Sequence, residues 1–181
     1  LLGRDIIHAD HILLEKSSKD RIIFISGGGG SIGTELCNQI IKLSPKKIIL
    51  LDHNEFSLYK VMERMKPLVN QKNINLLPLL GSACDANLID KIFQKNNIDS
   101  VFHCAAYKQV PMVEVNALEG IRNNVFSTYI ICEKALKNNV KQVMFVSTDK
   151  AVRPTSVMGA SKRLAELVVQ SFAVKVNKEK Q

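Results

Sequence analysis

Seven consecutive residues, Gly27-Gly28-Gly29-Gly30-Ser31-Ile32-Gly33, constrain this chain more than any other stretch. Two glycine patterns overlap in them: G-x-G-x-x-G on Gly28, Gly30 and Gly33, and G-x-x-G-x-x-G on Gly27, Gly30 and Gly33. Alone, such a run would equally suit a flexible loop. Its flanks give it meaning, because Arg21 to Ser26 is a short β-branched run that reads as a strand, and Ser31 to Leu43 sets Ile32, Leu36, Ile40 and Ile41 at helical spacing. A strand, a tight glycine turn and a helix let backbone approach a phosphate, whose charge is held by the free N–H groups at the helix N-terminus. Gly27, Gly30, Ser31, Ile32 and Gly33 are therefore candidate phosphate-binding residues.

The alternation continues along the chain. Lys47 to Asp52 reads as a second strand, Asn54 as the cap of a helix to about Val69, Ile74 to Leu80 as a third strand and Asp85 to Asn96 as a third helix. Ser100 to Cys104 reads as a fourth strand, Asn116 to Asn138 as a long helix, Val143 to Ser147 as a fifth strand and Val157 to Val176 as the closing helix. Nearly continuous apolar strands separated by helices imply an α/β, doubly wound parallel sheet covered on both faces, a Rossmann fold. Pro78 donates no ladder hydrogen bond and so needs an edge strand, which the order 3-2-1-4-5 supplies. Residues 1–20 read as a polar lead-in and residues 21–181 as the binding domain. With 181 residues, 46% hydrophobic and 23% charged, the chain suits one folded domain and excludes disorder as its main state. No apolar run approaches the roughly 18 residues of a membrane span, so the segment reads as soluble. It opens on Leu1 without a signal-like leader and reads as part of a longer product.

Twenty-five basic residues against 17 acidic ones give +8, which favours anionic partners such as phosphorylated ligands, nucleic acid or an acidic membrane surface without choosing among them. The basic residues are scattered, dense only at Lys175 to Lys180, and no aromatic-interleaved basic strand occurs, which argues against nucleic acid. Cys37, Cys84, Cys104 and Cys132 lack metal-ligand spacing and sit in helix or strand segments, so they read as reduced, mostly buried thiols of a cytoplasmic protein with no metal site.

Asp52 ends the second strand 19 residues after Gly33, where an acidic side chain would accept hydrogen bonds from the adenosine ribose of a dinucleotide and repel a 2′-phosphate, selecting NAD over NADP. The bland alternative has Asp52 merely ending a strand. Ala105 and Ala106 follow the fourth strand at the ligand edge, where small side chains would let a cofactor lie close or would simply pack. His53 reads as a solvated turn residue.

Ser147-Thr148-Asp149-Lys150 follows the fifth strand, and Met158-Gly159-Ala160-Ser161-Lys162 opens the last helix. In this arrangement the chain resembles the extended short-chain dehydrogenases, whose Ser/Thr and Tyr-x-x-x-Lys would fall on Thr148, Met158 and Lys162. Met158 replaces the acid/base tyrosine, and a thioether transfers no proton. With that substitution the chain is similar to the large bacterial nucleotide-sugar 4,6-dehydratases of the WbpM/CapD/PglF type. The likeness rests on Leu1 to Arg4, Ser26 to Glu35, His103 to Glu114, Arg122 to Val125 and Ser147 to Glu166. Gln109 stands where that family has His, and Gly28 where Ala is usual. Ser82 occupies the place of an adenine-contacting Asp, with Asp85 counted among the cofactor residues.

The resemblance implies NAD as cofactor, UDP-N-acetylglucosamine as substrate and a 4-keto-6-deoxy sugar product for surface polysaccharide or glycoprotein. It also implies a homo-oligomer, and a parent protein anchored at the cytoplasmic face of the inner membrane with a C-terminal substrate region beyond this chain. Thr148 would bond the carbon 4 hydroxyl, Asp149 would act as acid at carbon 6, Lys150 as base at carbon 5, and Lys162 would hold the nicotinamide ribose. Burial would keep a proton on Asp149 and free Lys150 of one. Lys108, Glu114 and Asn124 would reach substrate, although a surface ion pair for the first two and a satisfied backbone carbonyl for Asn124 fit equally. A plain β–α loop, a non-catalytic NAD-binding sensor or scaffold, and a nucleotide-sugar epimerase are the competing readings. Epimerases normally keep the tyrosine that Met158 replaces.

Overall fold

The computed structural model describes residues 11–179, so Leu1 to Arg4 lie outside the described residues. Five parallel strands, β1 (Ile22–Ser26), β2 (Lys47–Asp52), β3 (Asn75–Leu80), β4 (Ser100–His103) and β5 (Gln142–Phe145), pair in the order β3-β2-β1-β4-β5. This is the doubly wound Rossmann arrangement that the pattern predicts, and Pro78 lies on β3 at the edge, opposite Leu50.

Successive side chains on a strand face opposite ways, so each strand feeds two cores. Ile23, Ile25, Ile48 and Leu50 pack on one face with Cys37 and Ile41 of α2 (Ser31–Lys42) and Leu58 and Met65 of α3 (Glu55–Lys72). Phe24, Ile49, Leu51 and Val101 pack on the other with Phe93 of α4 (Ala86–Asn96) and Ile131 of α7 (Ser127–Lys137). The Phe24 and Phe93 rings meet edge-on at 5.4 Å. Burying each such side chain contributes about 1.5–3 kcal/mol.

Chain reversals follow local rules. Asn54 caps α3 by accepting from Ser57 N–H, and Asp85 caps α4 by accepting from Asn87 and Leu88 N–H. Asn73 and Asn97 end the same helices with φ of 51° and 42°, left-handed positions that asparagine tolerates. Every strand thus starts, and every preceding helix ends, at one edge of the sheet, while the glycine loop and the loops after β4 and β5 gather at the other.

Three elements depart from the sequence reading. The lead-in contains a helix, α1 (His11–Ser18), whose end docks below the sheet: Ser17 C=O accepts from Ser100 Oγ at 3.2 Å. The segment after β4 forms α5 (Val110–Val115), with Pro111 in its first turn, where a missing N–H does no harm. The long helix is composite: α6 (Ala117–Ile121), a π turn (Arg122–Phe126) and α7, followed after β5 by a 3-10 turn (Asp149–Ala151) and α8 (Val157–Glu179). One extra residue per turn escapes a strict 3.6-residue pattern, and such π turns concentrate at functional sites.

Candidate active site

A cavity of about 440 Å³ opens at the carboxyl edge, lined by the glycine loop, Asp52, Ala105, Ala106, Lys108, Thr148, Lys150, Met158 and Lys162. Residues more than a hundred positions apart converge because parallel strands end together.

The glycine loop has little freedom. Gly27 sits at φ 69°, and a Cβ there would meet Ala105 N at 2.6 Å. A Cβ on Gly33 would fall 2.2 Å from Gly27 O, the carbonyl that accepts from Gly30 N–H at 3.1 Å. Gly30 differs: its only close neighbour would be Gly27 O at 3.3 Å, and it lines the cavity. Gly30 caps α2 without a side chain, so the first-turn N–H groups of Ser31, Ile32 and Gly33 are offered to an anion. Asp52 is 8% exposed and its two oxygens accept from Gly29 N–H (2.8 Å) and Asn54 N–H (2.9 Å). It therefore fixes the loop as well as facing the cavity.

Lys162 is 5% exposed, with Nζ donating to Val146 C=O at 2.7 Å and lying 3.9 Å over the Phe145 ring. Burial pushes it down to about 8. Met158, 2% exposed, lies one turn earlier on the cavity wall. Gly159 is needed there because a Cβ would strike Lys150 O at 2.3 Å. Thr148 Oγ1 accepts from Lys150 N–H and donates to Asp149 Oδ1 at 3.1 Å. Asp149 and Lys150 are both exposed, contrary to the burial their roles call for, because the 3-10 turn carries them past the sheet edge. Lys150 still lines the cavity, whereas Asp149 stands behind Thr148.

Three other expected ligand residues have structural work instead. Asp85 is the α4 cap, and Ser82 reaches the cavity in its place. Glu114 rides on α5 and accepts from Val157 N–H at 2.7 Å, capping α8. Asn124, 1% exposed in the π turn, accepts from Tyr107 N–H (2.8 Å) and donates to Tyr107 C=O and Ser161 Oγ (2.9 Å each). With both amide protons engaged it clamps the loop after β4 to α8 and is absent from the cavity wall.

Some participants carried no sequence signal. Tyr107 and His53 face each other across the cavity with ring centroids 6.3 Å apart. Behind them lies buried His103, whose Nε2 meets the Thr128 and Ser127 hydroxyls. Those hydroxyls already donate to Asn124 and Asn123 carbonyls, so they accept from Nε2–H. Nδ1 then accepts from Ser26 Oγ at 2.6 Å. This ring is a neutral Nε2–H tautomer, pushed down to about 3 by burial and secondarily by the Lys162 charge. It ties β1 and β4 to the helix that carries the Asn124 clamp. Cys104 also lines the cavity, but burial pushes its thiol up to about 11, which excludes thiolate chemistry near neutral pH. Among the described residues no His/Cys/Asp/Glu cluster suits a metal ion.

Comparison with known proteins supplies a context for this geometry. A family model described as polysaccharide biosynthesis protein matches residues 23–181. The capsular polysaccharide biosynthesis protein CapD of Staphylococcus aureus is 39% identical over 172 residues, 95% of this chain and 28% of that protein. A UDP-glucose 4-epimerase of Rickettsia canadensis is 34% identical over 151 residues, covering 81% of this chain and 42% of the epimerase. The X-ray structure of Pen from Bacillus thuringiensis superposes with a TM-score of 0.79 at 31% identity, covering 86% of this chain and 48% of that one. The chain thus spans less than half the length of each of these relatives.

Proposed function

The chain belongs to the polysaccharide biosynthesis protein family, and on that premise we propose that it is the NAD-binding part of a nucleotide-sugar 4,6-dehydratase acting on UDP-N-acetylglucosamine. One observation carries the proposal: the glycine loop, Asp52 and the Thr148, Lys150, Met158, Lys162 group line a single cavity. The residues fit NAD. Gly30 leaves open the space that a side chain would fill, the first-turn N–H groups of α2 would hold the pyrophosphate, Asp52 the adenosine ribose and Lys162 the nicotinamide ribose. NAD, when bound, supplies a hydride acceptor at carbon 4 of the sugar and the donor at carbon 6.

The chain's own groups manage the protons. Thr148 orients the carbon 4 hydroxyl. Oxidation there acidifies the proton on carbon 5, which Lys150 removes as base from the cavity wall. Asp149, reached through its bond to Thr148, protonates the carbon 6 hydroxyl so that water leaves. Met158 fills the tyrosine position without exchanging protons, which suits a reaction whose acid and base lie in the Thr148 loop. Both need a shielded site in the working enzyme, and in this chain both stand exposed. A homo-oligomeric, membrane-anchored parent at the cytoplasmic face of the membrane belongs to the same reading; fractionation and sizing of the full-length protein test it.

Full-length protein incubated with UDP-N-acetylglucosamine and NAD should yield the 4-keto-6-deoxy sugar nucleotide. Asp149→Asn should slow elimination by about 10²- to 10⁴-fold with NAD binding nearly unchanged. Bound NAD without product would favour a sensor or scaffold. The similarity to a UDP-glucose 4-epimerase supports a second reading, whose product would keep its carbon 6 hydroxyl and differ only in configuration at carbon 4.

A further inference from the structure

The net charge of +8 is not accounted for by the cavity. The fold sorts what the sequence scatters. Helix ends and strand starts share the amino edge of the sheet, opposite the cavity, and exposed Lys16, Lys19, Lys46, Lys72, Lys95 and Lys141 all belong to these segments. Contacts confirm the gathering: Lys72 Nζ donates to Lys42 C=O, Lys47 Nζ reaches Asn96, and Lys46 N–H bonds Arg21 C=O. A shallow depression there brings Lys16, Lys19 and Lys141 together. Against these cations stand Glu15, Asp20 and Asp99, and Asp99 is already held by Arg21 (3.3 Å) and Lys141 (2.7 Å). A favourable lysine at a helix C-terminus explains one such residue at a time, but not their gathering on a single face.

We propose that this amino edge is a docking surface for an anionic lipid bilayer, holding the cavity on the side away from the membrane. Two features favour lipid over nucleic acid. The exposed cations are lysines, point charges suited to a diffuse headgroup layer, rather than arginines in fork geometry. The exposed aromatics among the described residues, Phe56, Tyr59, Tyr107, Phe126 and Tyr129, lie away from the strand starts and helix ends, so no stacking platform accompanies the charge. The inference does not depend on the chemistry of the cavity.

Cosedimentation of the 181-residue chain with vesicles tests it. Binding to phosphatidylcholine containing phosphatidylglycerol should far exceed binding to phosphatidylcholine alone, and should collapse as salt rises from about 0.1 M to about 1 M and screening shortens from about 10 Å to about 3 Å. Lys19, Lys46 and Lys95 make no ion pair among the described residues, so changing all three to Gln should spare the fold. It should weaken vesicle binding by about fivefold per charge, or about 100-fold in all. The matched variant Lys60→Gln, Arg64→Gln, Lys91→Gln removes the same charge from helix flanks and should retain most of the binding. Equal loss in both variants, or equal binding to neutral vesicles, would overturn the proposal. So would duplex DNA binding as tightly as anionic vesicles.

Discussion

Two glycines of one motif should fail in opposite ways. Gly33→Ala puts a methyl 2.2 Å from Gly27 O, against an ordinary contact of 3.4 Å or more, so that carbonyl must retreat by about an ångström. It cannot move freely, because Gly30 N–H holds it at 3.1 Å. Overpacking costs about 1–3 kcal/mol, the lost hydrogen bond about 1, and the gain from alanine in a helical position returns about 1. The net is about 1–3 kcal/mol, or a melting temperature lower by about 3–10 °C for a chain of this size. Gly30→Ala meets nothing closer than 3.3 Å and keeps an extended backbone that alanine accepts (φ −73°, ψ 166°). Its weaker capping and its stiffer unfolded chain nearly cancel, so melting should shift by no more than about 2 °C. The methyl nonetheless enters the space assigned to the pyrophosphate, and NAD affinity should fall at least about tenfold. Thermal melts followed by calorimetric titration with NAD separate the two cases. A Gly30→Ala protein that binds NAD normally would refute the placement of the pyrophosphate, and an unshifted Gly33→Ala melt would refute the steric reasoning.

Asp52→Asn retains the shape but discards the charge, so the preference for NAD over NADP should shrink by at least about tenfold; an unchanged ratio in parallel titrations removes Asp52 from that role. His103 is held down to about 3 in the folded chain and titrates at about 6.5 when unfolded, so the unfolded state binds the extra proton between these values and stability falls with falling pH. From pH 7 to pH 5 the loss is about 2 kcal/mol, and urea unfolding should show it in the wild type but not in His103→Gln. Lys162, held down to about 8, should make stability rise between pH 8 and 10.5 as the unfolded chain alone keeps its proton; a Lys162→Met comparison with no difference in slope would contradict its burial. Arg153 occupies a left-handed position at φ 48°, so Arg153→Asn should raise stability by about 0.5–1 kcal/mol in the same assay.

The strands, their order and the helix starts at Ser31 and Asn54 were legible because apolar periodicity and glycine or asparagine punctuation act locally. The convergence of Asp52, Thr148 and Lys162 followed from parallel polarity alone. Glu114 and Asp85 were misread because a carboxylate near a ligand edge and a carboxylate capping a helix have the same composition. For Asp85 the signal existed, since an acidic residue directly preceded a helical pattern. Pro111 similarly announced α5. Nothing in the sequence marked the His103, Asn124 and Ser161 network, whose members meet only after β1, β4 and two helices are in place.

The π turn has a consequence for how this chain tolerates length changes. Removing any one residue from Arg122–Phe126 would restore an ordinary α-helical repeat and turn everything downstream by about 100° about the helix axis. Ile131, Cys132 and Ala135 would swing out of the core together, and Thr128 would leave His103. A deletion of one residue on an exposed helix is usually absorbed by a neighbouring loop. Here the register of the whole second half of the helix is indexed by a single surplus residue, so shortening this segment by one should disable the chain where shortening the loop after β5 would not.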